Sequence, residues 1–299
     1  MIKSVTVINY LNEKLTLELM RPEKSGFVVK KIDGLGPVKA NINTTDVSTR
    51  DGSSYNSART SQRNIVIYLQ YLFQGSIEDM RLKSYRYFPL KKPISLIVET
   101  DNRTLKIDGY VESNEPDIFS KDEGTQISII CPNPYFYTTE TTAVVFYGTE
   151  PKFEFPVEFE MGDEFEFSSI IRHEKQNVYY SGDVDVGLTL VMRATGDVDN
   201  VEIFNIRTRG SIRIDSEKLR RLTDHPIVAG DEITICTVRG RKSAMLTRNG
   251  EQRSILNSLS FDSDWFQLTM GDNLFGYTAD DGAEHLEFMI VHDTLYEGV

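Results

Sequence analysis

Apolar residues recur at every second position in short runs along the whole chain. "VTVINY", "KLTLEL", "RNIVIYLQYLF", "ISLIVET", "LKIDGYVE" and "QISIIC" carry this pattern up to Tyr137, and "VGLTLVMRA", "EITICTV", "WFQLTM" and "HLEFMIVH" resume it afterwards. Segments rich in Val, Ile, Tyr and Phe, with period two and bounded by Gly, Pro, Asn and Asp, predict half-buried strands. Their number and even spacing predict a mainly β protein made of β-sandwiches.

Two stretches break the alternation. After Ser76, Ile77, Met80, Ser84 and Phe88 fall at three-to-four spacing until Pro89. Ser76 with Asp79 makes a capping-box-like start, so one helix is expected to lie on the first sheet. The second stretch, "NINTTDVSTRDGSSYNSARTSQR" (41–63), has few apolar residues and cannot bury itself in a core. Asp51-Gly52 is a two-residue hairpin signal, which predicts a long polar β-hairpin arm protruding from its domain. Such a hairpin needs another surface for its edges and for Arg50, Tyr55, Arg59 and Arg63, which are the candidate subunit-interface residues.

The boundary between domains falls at "ISIICPNPYFY". Pro132 and Pro134 block continued strand pairing, giving a first domain over 1–137 and a second over 138–299. Cys131 then closes a strand as a small buried residue, and Cys236 in "EITICTV" is expected to be buried in the same way.

Composition narrows the partners. The chain has 299 residues and a net charge of −12. Through Tyr137 it carries 18 Lys+Arg against 16 Asp+Glu; the remainder carries 15 against 29. An acidic second domain repels nucleic acid, so no specific nucleic-acid binding is expected. No run approaches the roughly 18 apolar residues of a membrane span, and the amino terminus lacks a signal-peptide core, so no membrane association is expected.

The search for chemistry yields little. A cysteine nucleophile needs a nearby base, and His173, His225, His285 and His292 all lie in the second part. "RGRKS" (239–243) ends like a phosphate loop but lacks the upstream glycine. Asp183 with Asp185, and Asp197 with Asp199, are either alternate calcium-binding carboxylates or polar strand edges; neither forms a full calcium loop. Arg207, Arg209, Arg213 and Arg220 either meet an acidic partner or neutralise neighbouring carboxylates. Trp265, the single tryptophan, is read as core packing beside Phe266 and Leu268, the alternative being a sugar platform. No catalytic residue, metal ligand or cofactor is expected.

"DGYVESNEPDIFSKDEGTQISIICPNPYFY" (108–137) resembles the close of the amino-terminal domain of phage distal tail proteins (Dit), where a "GY-V" strand, a variable turn and an "I-I-CP-PYF" strand recur. "GDEITICTVRGRKSAMLTRNG" (230–250) and "LSFDSDWFQLTMGDNLFGY" (259–277) resemble their carboxy-terminal domain, with its "W-L-GxN" hairpin. Met270 stands where most members have proline before the glycine of that hairpin. The resemblance implies a structural protein of the virion, a homo-hexamer whose ring forms through the first domain. The polar hairpin would be the arm that embraces the next subunit, and the second domain a galectin-like β-sandwich. It also implies contacts with a tail tube protein, a tape measure protein and a tail-associated hub or fibre protein. A function of a different class, a carbohydrate-binding module that aids attachment to the host cell wall, stays open beside it.

Overall fold

The computed structural model describes residues 1–46, 48, 51–72, 75–151, 168–172 and 175–299, with 147–151 and 168–172 described by backbone alone. The chain divides into two compact units, Met1–Thr139 together with Leu295–Val299, and Glu140–Thr294. The last five residues, assigned by sequence to the second domain, therefore belong to the first unit.

The first unit is built from β1 (Ile2–Ile8), β2 (Lys14–Glu18), β3 (Phe27–Asp33), β4 (Ala40–Asp46), β5 (Ser53–Thr60), β6 (Arg63–Tyr71), α1 (Ile77–Tyr87), β7 (Pro93–Thr100), β8 (Thr104–Asp117), β9 (Gly124–Cys131) and β10 (Phe136–Thr138). One antiparallel sheet runs in the order β2-β1-β7-β8-β9-β6-β3. It bends over on itself, bringing edge strands β2 and β3 into contact. Bulges in β3 and β8 break the register between Val29 and Lys31 and between Val111 and Ser113, where extra residues sharpen local twist. The inward face holds Val5, Val7, Ile65, Ile67, Leu96, Val98, Ile107 and Ile129. Helix α1 starts as its sequence predicts: Ser76 Oγ accepts from the Asp79 amide at 3.3 Å. It turns Met80 and Ser84 inward and ends at buried Phe88.

Cys131 closes β9 with no exposed surface. Burial pushes its thiol up to about 11, well away from a reactive thiolate. A Cβ placed on Gly109 of β8 would lie 2.9 Å from Cys131 Sγ and 2.8 Å from Ile129 Cγ2. The glycine of "GY-V" and the cysteine of "CP" are thus a cross-strand packing pair: the missing side chain makes room for the sulfur.

The second unit contains β11 (Thr142–Val145), β12 (Tyr147–Pro151), β13 (Ser168–Arg172), β14 (Lys175–Tyr180), β15 (Thr189–Ala194), β16 (Glu202–Asn205), β17 (Ser211–Arg213), α2 (Ser216–Thr223), β18 (Glu232–Cys236), β19 (Ser243–Arg248), β20 (Glu251–Ser254), β21 (Gly271–Thr278) and β22 (Leu286–His292). One sheet runs β11-β22-β15-β18-β19-β20 and the other β14-β21-β16-β17. Their inner faces meet in an aromatic cluster: Phe288 from the first sheet packs 5.5 Å from Tyr277 of the second, with Phe146 4.6 Å from Phe288. The core is completed by Leu190, Ile203, Ile212, Ile233, Ile235, Phe275 and Ile290.

Helix α2 was not foreseen from the sequence, where its arginines drew attention to charge. Asp215 caps it, accepting from the Lys218 amide at 3.0 Å, and Leu219 anchors it inward. Arg220 and Arg221 sit in its last turn, where the helix dipole favours cations. Cys236 is partly exposed rather than buried: the alternation that turns Ile233, Ile235 and Thr237 inward turns Thr234 and Cys236 outward. No helix among the described residues is long and apolar enough to cross a membrane.

Candidate functional site

The polar stretch after residue 40 forms the expected hairpin, β4 paired with β5 from Ala40↔Thr60 to Asp46↔Ser53, with a bulge between Asn43 and Thr44. Gly52 takes a positive φ of 88° in the connection, which Asp-Gly permits without a Cβ penalty. Side chains brace the two strands. Asn41 Nδ2 donates to Ser61 Oγ at 2.7 Å, Asn43 Nδ2 to Ser57 Oγ at 3.0 Å and Asn56 Nδ2 to Thr45 Oγ1 at 2.6 Å. Almost every residue of both strands is exposed, including Ile42 at 63% and Tyr55 at 67%.

The four candidate interface residues separate. Tyr55 and Arg59 lie exposed on β5. Arg50 falls outside the described residues. Arg63 is a correction: it is 1% exposed and points into the first unit's core. The reason is phase, because β6 turns Arg63, Ile65, Ile67, Leu69 and Tyr71 to the same buried face. Its guanidinium is consumed there. Nε donates to the Pro134 carbonyl at 2.6 Å, Nη1 to the Gly34 and Gly36 carbonyls at 2.5 and 2.6 Å, and Nη2 to the Glu297 carbonyl at 2.5 Å. The plane stacks 4.7 Å from the Phe136 ring, and Cys131 is its partner in register. Burial lowers its pKa, yet the charge stays, since a guanidinium is never deprotonated in proteins.

Arg63 thereby ties the 34–36 loop, the Pro134 exit and the returning carboxy-terminal strand. That strand, β23 (Leu295–Tyr296), pairs with β10 through Phe136↔Tyr296 and Tyr137↔Leu295. Arg103 adds a donor to the Gly298 carbonyl at 3.3 Å and stacks 4.5 Å from the Tyr296 ring.

In the second unit Trp265 is not core. Phe266 and Leu268 are buried, and strict alternation sends Trp265, Gln267 and Thr269 to the opposite face. There they line an open groove of about 500 Å³ with Thr208, Arg239, Lys242 and Asp264. Lys242 Nζ lies 5.2 Å from the indole ring, and Arg239 Nη2 donates to Gln267 Oε1 at 3.0 Å. Below the groove the "GxN" turn is organised by buried Asn273. Its Oδ1 accepts from the Thr269 amide at 3.1 Å, and its Nδ2 donates to the Thr269 and Gly271 carbonyls at 2.7 and 3.0 Å.

The remaining candidates resolve simply. Arg213 Nη2 pairs with Asp280 at 3.0 Å, and Arg207 Nη1 donates to Thr269 Oγ1 at 3.3 Å and the Asp272 carbonyl at 3.2 Å. No group of three or more His, Cys, Asp or Glu able to hold a metal occurs among the described residues. His292 is buried against Tyr180, with ring centroids 5.7 Å apart, and burial lowers its pKa. His173 lies outside the described residues.

No family model and no curated protein matches the sequence. Fold comparison does find similar structures. The crystal structure of SPP1 Dit (gp 19.1), described as a paradigm of hub adsorption apparatus in phages that infect Gram-positive hosts, matches with a TM-score of 0.65. Identity is 11%, covering 97% of this chain and 98% of that one. A chain of the phage P2 baseplate in its activated, calcium-bound conformation is a looser match, with a TM-score of 0.46 at 9% identity over 98% of each chain. The SPP1 Dit match, over nearly the whole chain, shows a Dit-like fold.

Proposed function

We propose that this protein is a non-enzymatic ring subunit of a bacteriophage or prophage tail tip, joining the tail tube to the baseplate or fibre hub. The observation that carries the reading is the arm. A hairpin of this length with Ile42 and Tyr55 exposed gains almost nothing from its own domain, so its stable place is on another surface. A second copy of the chain supplies that surface, and a head-to-tail contact repeats until rotation closes a ring, a homo-hexamer in this reading. Tyr55 and Arg59 are the described interface residues, with Arg50 beside them in sequence. The tube, tape measure and hub or fibre proteins are the further partners, and the virion tail tip is the location. The Dit-like fold over nearly the whole chain supports this reading.

Replacing residues 43–61 by a short Gly-Ser link should leave the subunit folded with near-native melting, but monomeric by size-exclusion chromatography with light scattering. Closed rings from the shortened protein would place the interface elsewhere.

A second reading, a carbohydrate-binding module that aids attachment to the host wall, is favoured by one observation, the groove beside Trp265. Monomeric protein that binds wall polysaccharide would support it over the ring.

A further inference from the structure

The turn carrying Arg239, Arg241 and Lys242 is a cationic island in a unit where acidic residues predominate. Among the described residues neither Arg239 nor Lys242 makes an ion pair: Arg239 is held by the Gln267 amide oxygen and Lys242 by the face of Trp265. Other arginines of the unit do pair with carboxylates, as Arg193 does with Glu232 at 2.7 Å and Arg248 with Asp231 at 2.6 Å, while Arg207 hydrogen-bonds Thr269 Oγ1 and the Asp272 carbonyl instead. Two cations therefore stand at one groove with their charge unspent.

From this arrangement we infer that the groove binds an acidic saccharide, one bearing carboxylate or phosphate groups, with Trp265 as its platform. The inference rests on the carbohydrate-binding reading above and narrows it to a ligand class.

Each lining group has a part. The indole offers a flat apolar surface to the carbon–hydrogen face of a pyranose ring. Lys242, held only by the ring quadrupole, moves to an anionic substituent and uncovers that face. Arg239 is oriented by Gln267, leaving the rest of its planar fork to meet a carboxylate or phosphate in bidentate fashion. Thr208 and Gln267 can exchange hydrogen bonds with sugar hydroxyls. Asp264 accepts from hydroxyls but repels an anion at its own end of the groove, which sets ligand polarity and disfavours a small bare anion. A Cβ on Gly210 would come within 3.3 Å of the Asp264 side chain, so a glycine is what lets the wall close up here.

The chain's single tryptophan makes the test direct. The full-length protein is titrated with oligogalacturonate and with glucose phosphate while Trp265 emission is followed, and again with the methyl ester of the oligogalacturonate. Saturable change is expected with the acidic sugars, with affinity at least roughly tenfold weaker for the ester, for Lys242→Ala and for Arg239→Ala. Lys242→Arg should retain binding, and thermal melting of each variant verifies folding. Equal binding of acid and ester overturns the inference while leaving the neutral carbohydrate reading standing. Hexaglutamate that binds as tightly, with the same losses in the variants, identifies an acidic peptide site instead. No emission change with any of these probes up to about 10 mM, far above useful affinity, overturns the inference and the carbohydrate reading together.

Discussion

Fully buried Arg63 in the first unit and partly buried Arg248 in the second are satisfied in opposite ways. Arg248 in the second unit meets a carboxylate: Nε and Nη2 grip Asp231 at 2.7 and 2.6 Å, and Nη2 also reaches the Pro226 carbonyl at 2.7 Å. Arg63 in the first unit makes no ion pair among the described residues, and its guanidinium donates to backbone carbonyls instead. Opposing charge neutralises the first, whereas converging peptide dipoles solvate the second. A side-chain acceptor can be exchanged along with its arginine; a backbone acceptor cannot. Arg63 is therefore the less replaceable of the two, and a planar fork is what its carbonyls require.

Breaking that contrast at Arg63 should have the largest effect. Arg63→Met leaves four partly buried carbonyls without this donor, at up to about 1–3 kcal/mol each. The first unit is expected to lose at least about 4 kcal/mol, read as a lowered urea midpoint, with Arg63→Lys rescuing only a small part. A loss below about 1 kcal/mol would mean that water replaces the guanidinium freely.

Arg248→Met comes next, at about 3 kcal/mol, because it strands the nearly fully buried Asp231 carboxylate. The double change Arg248→Met with Asp231→Leu should recover most of that loss, since an apolar pair can take the place of a buried ion pair. Denaturation of both variants against the parent measures the recovery. Among the described residues no carboxylate makes such an ion pair with Arg63.

The cysteines sharpen the same contrast at a smaller scale. Cys131→Ala should cost about 1–2 kcal/mol, a small buried group lost beside Gly109. Native protein at pH 8 should titrate one thiol with a disulfide reagent, partly exposed Cys236, and two only in denaturant. Burial raises Cys131 to about 11, so its thiolate is scarce at pH 8 and its sulfur is shielded as well. Two fast thiols in native protein would contradict the packing described.

Much of this was legible in the sequence. Alternation located the sheets, Ser76 and Pro89 bracketed α1, and Asp51-Gly52 announced the arm. The three misplaced residues, Arg63, Trp265 and Cys236, were errors of phase. Arg63 is the first term of Arg63, Ile65, Ile67, Leu69, Tyr71, yet composition grouped it with the polar arm that precedes it. Trp265 and Phe266 are neighbours in a strand-like run, so they face opposite ways and only one can enter the core. Burial of Phe266 and Leu268 together decides which. Helix α2 was hidden because Asp215 and Leu219 signal it in only two turns. The return of β23 had no local signal at all, since two residues pair with β10 across the whole intervening unit.

That return carries a consequence for synthesis. The donors of Arg63 include one for Glu297, and β10 gains a partner only when Leu295 and Tyr296 arrive. Until then the first unit leaves the ribosome unfinished, and it waits while residues 140–294 are translated, roughly 8–30 s at about 5–20 residues per second. A chain cut short anywhere in the second unit would carry an unsealed first one. The strap thus acts as a check on translation: a subunit acquires its finished amino-terminal body only after the ribosome has read past Leu295, Tyr296 and Glu297.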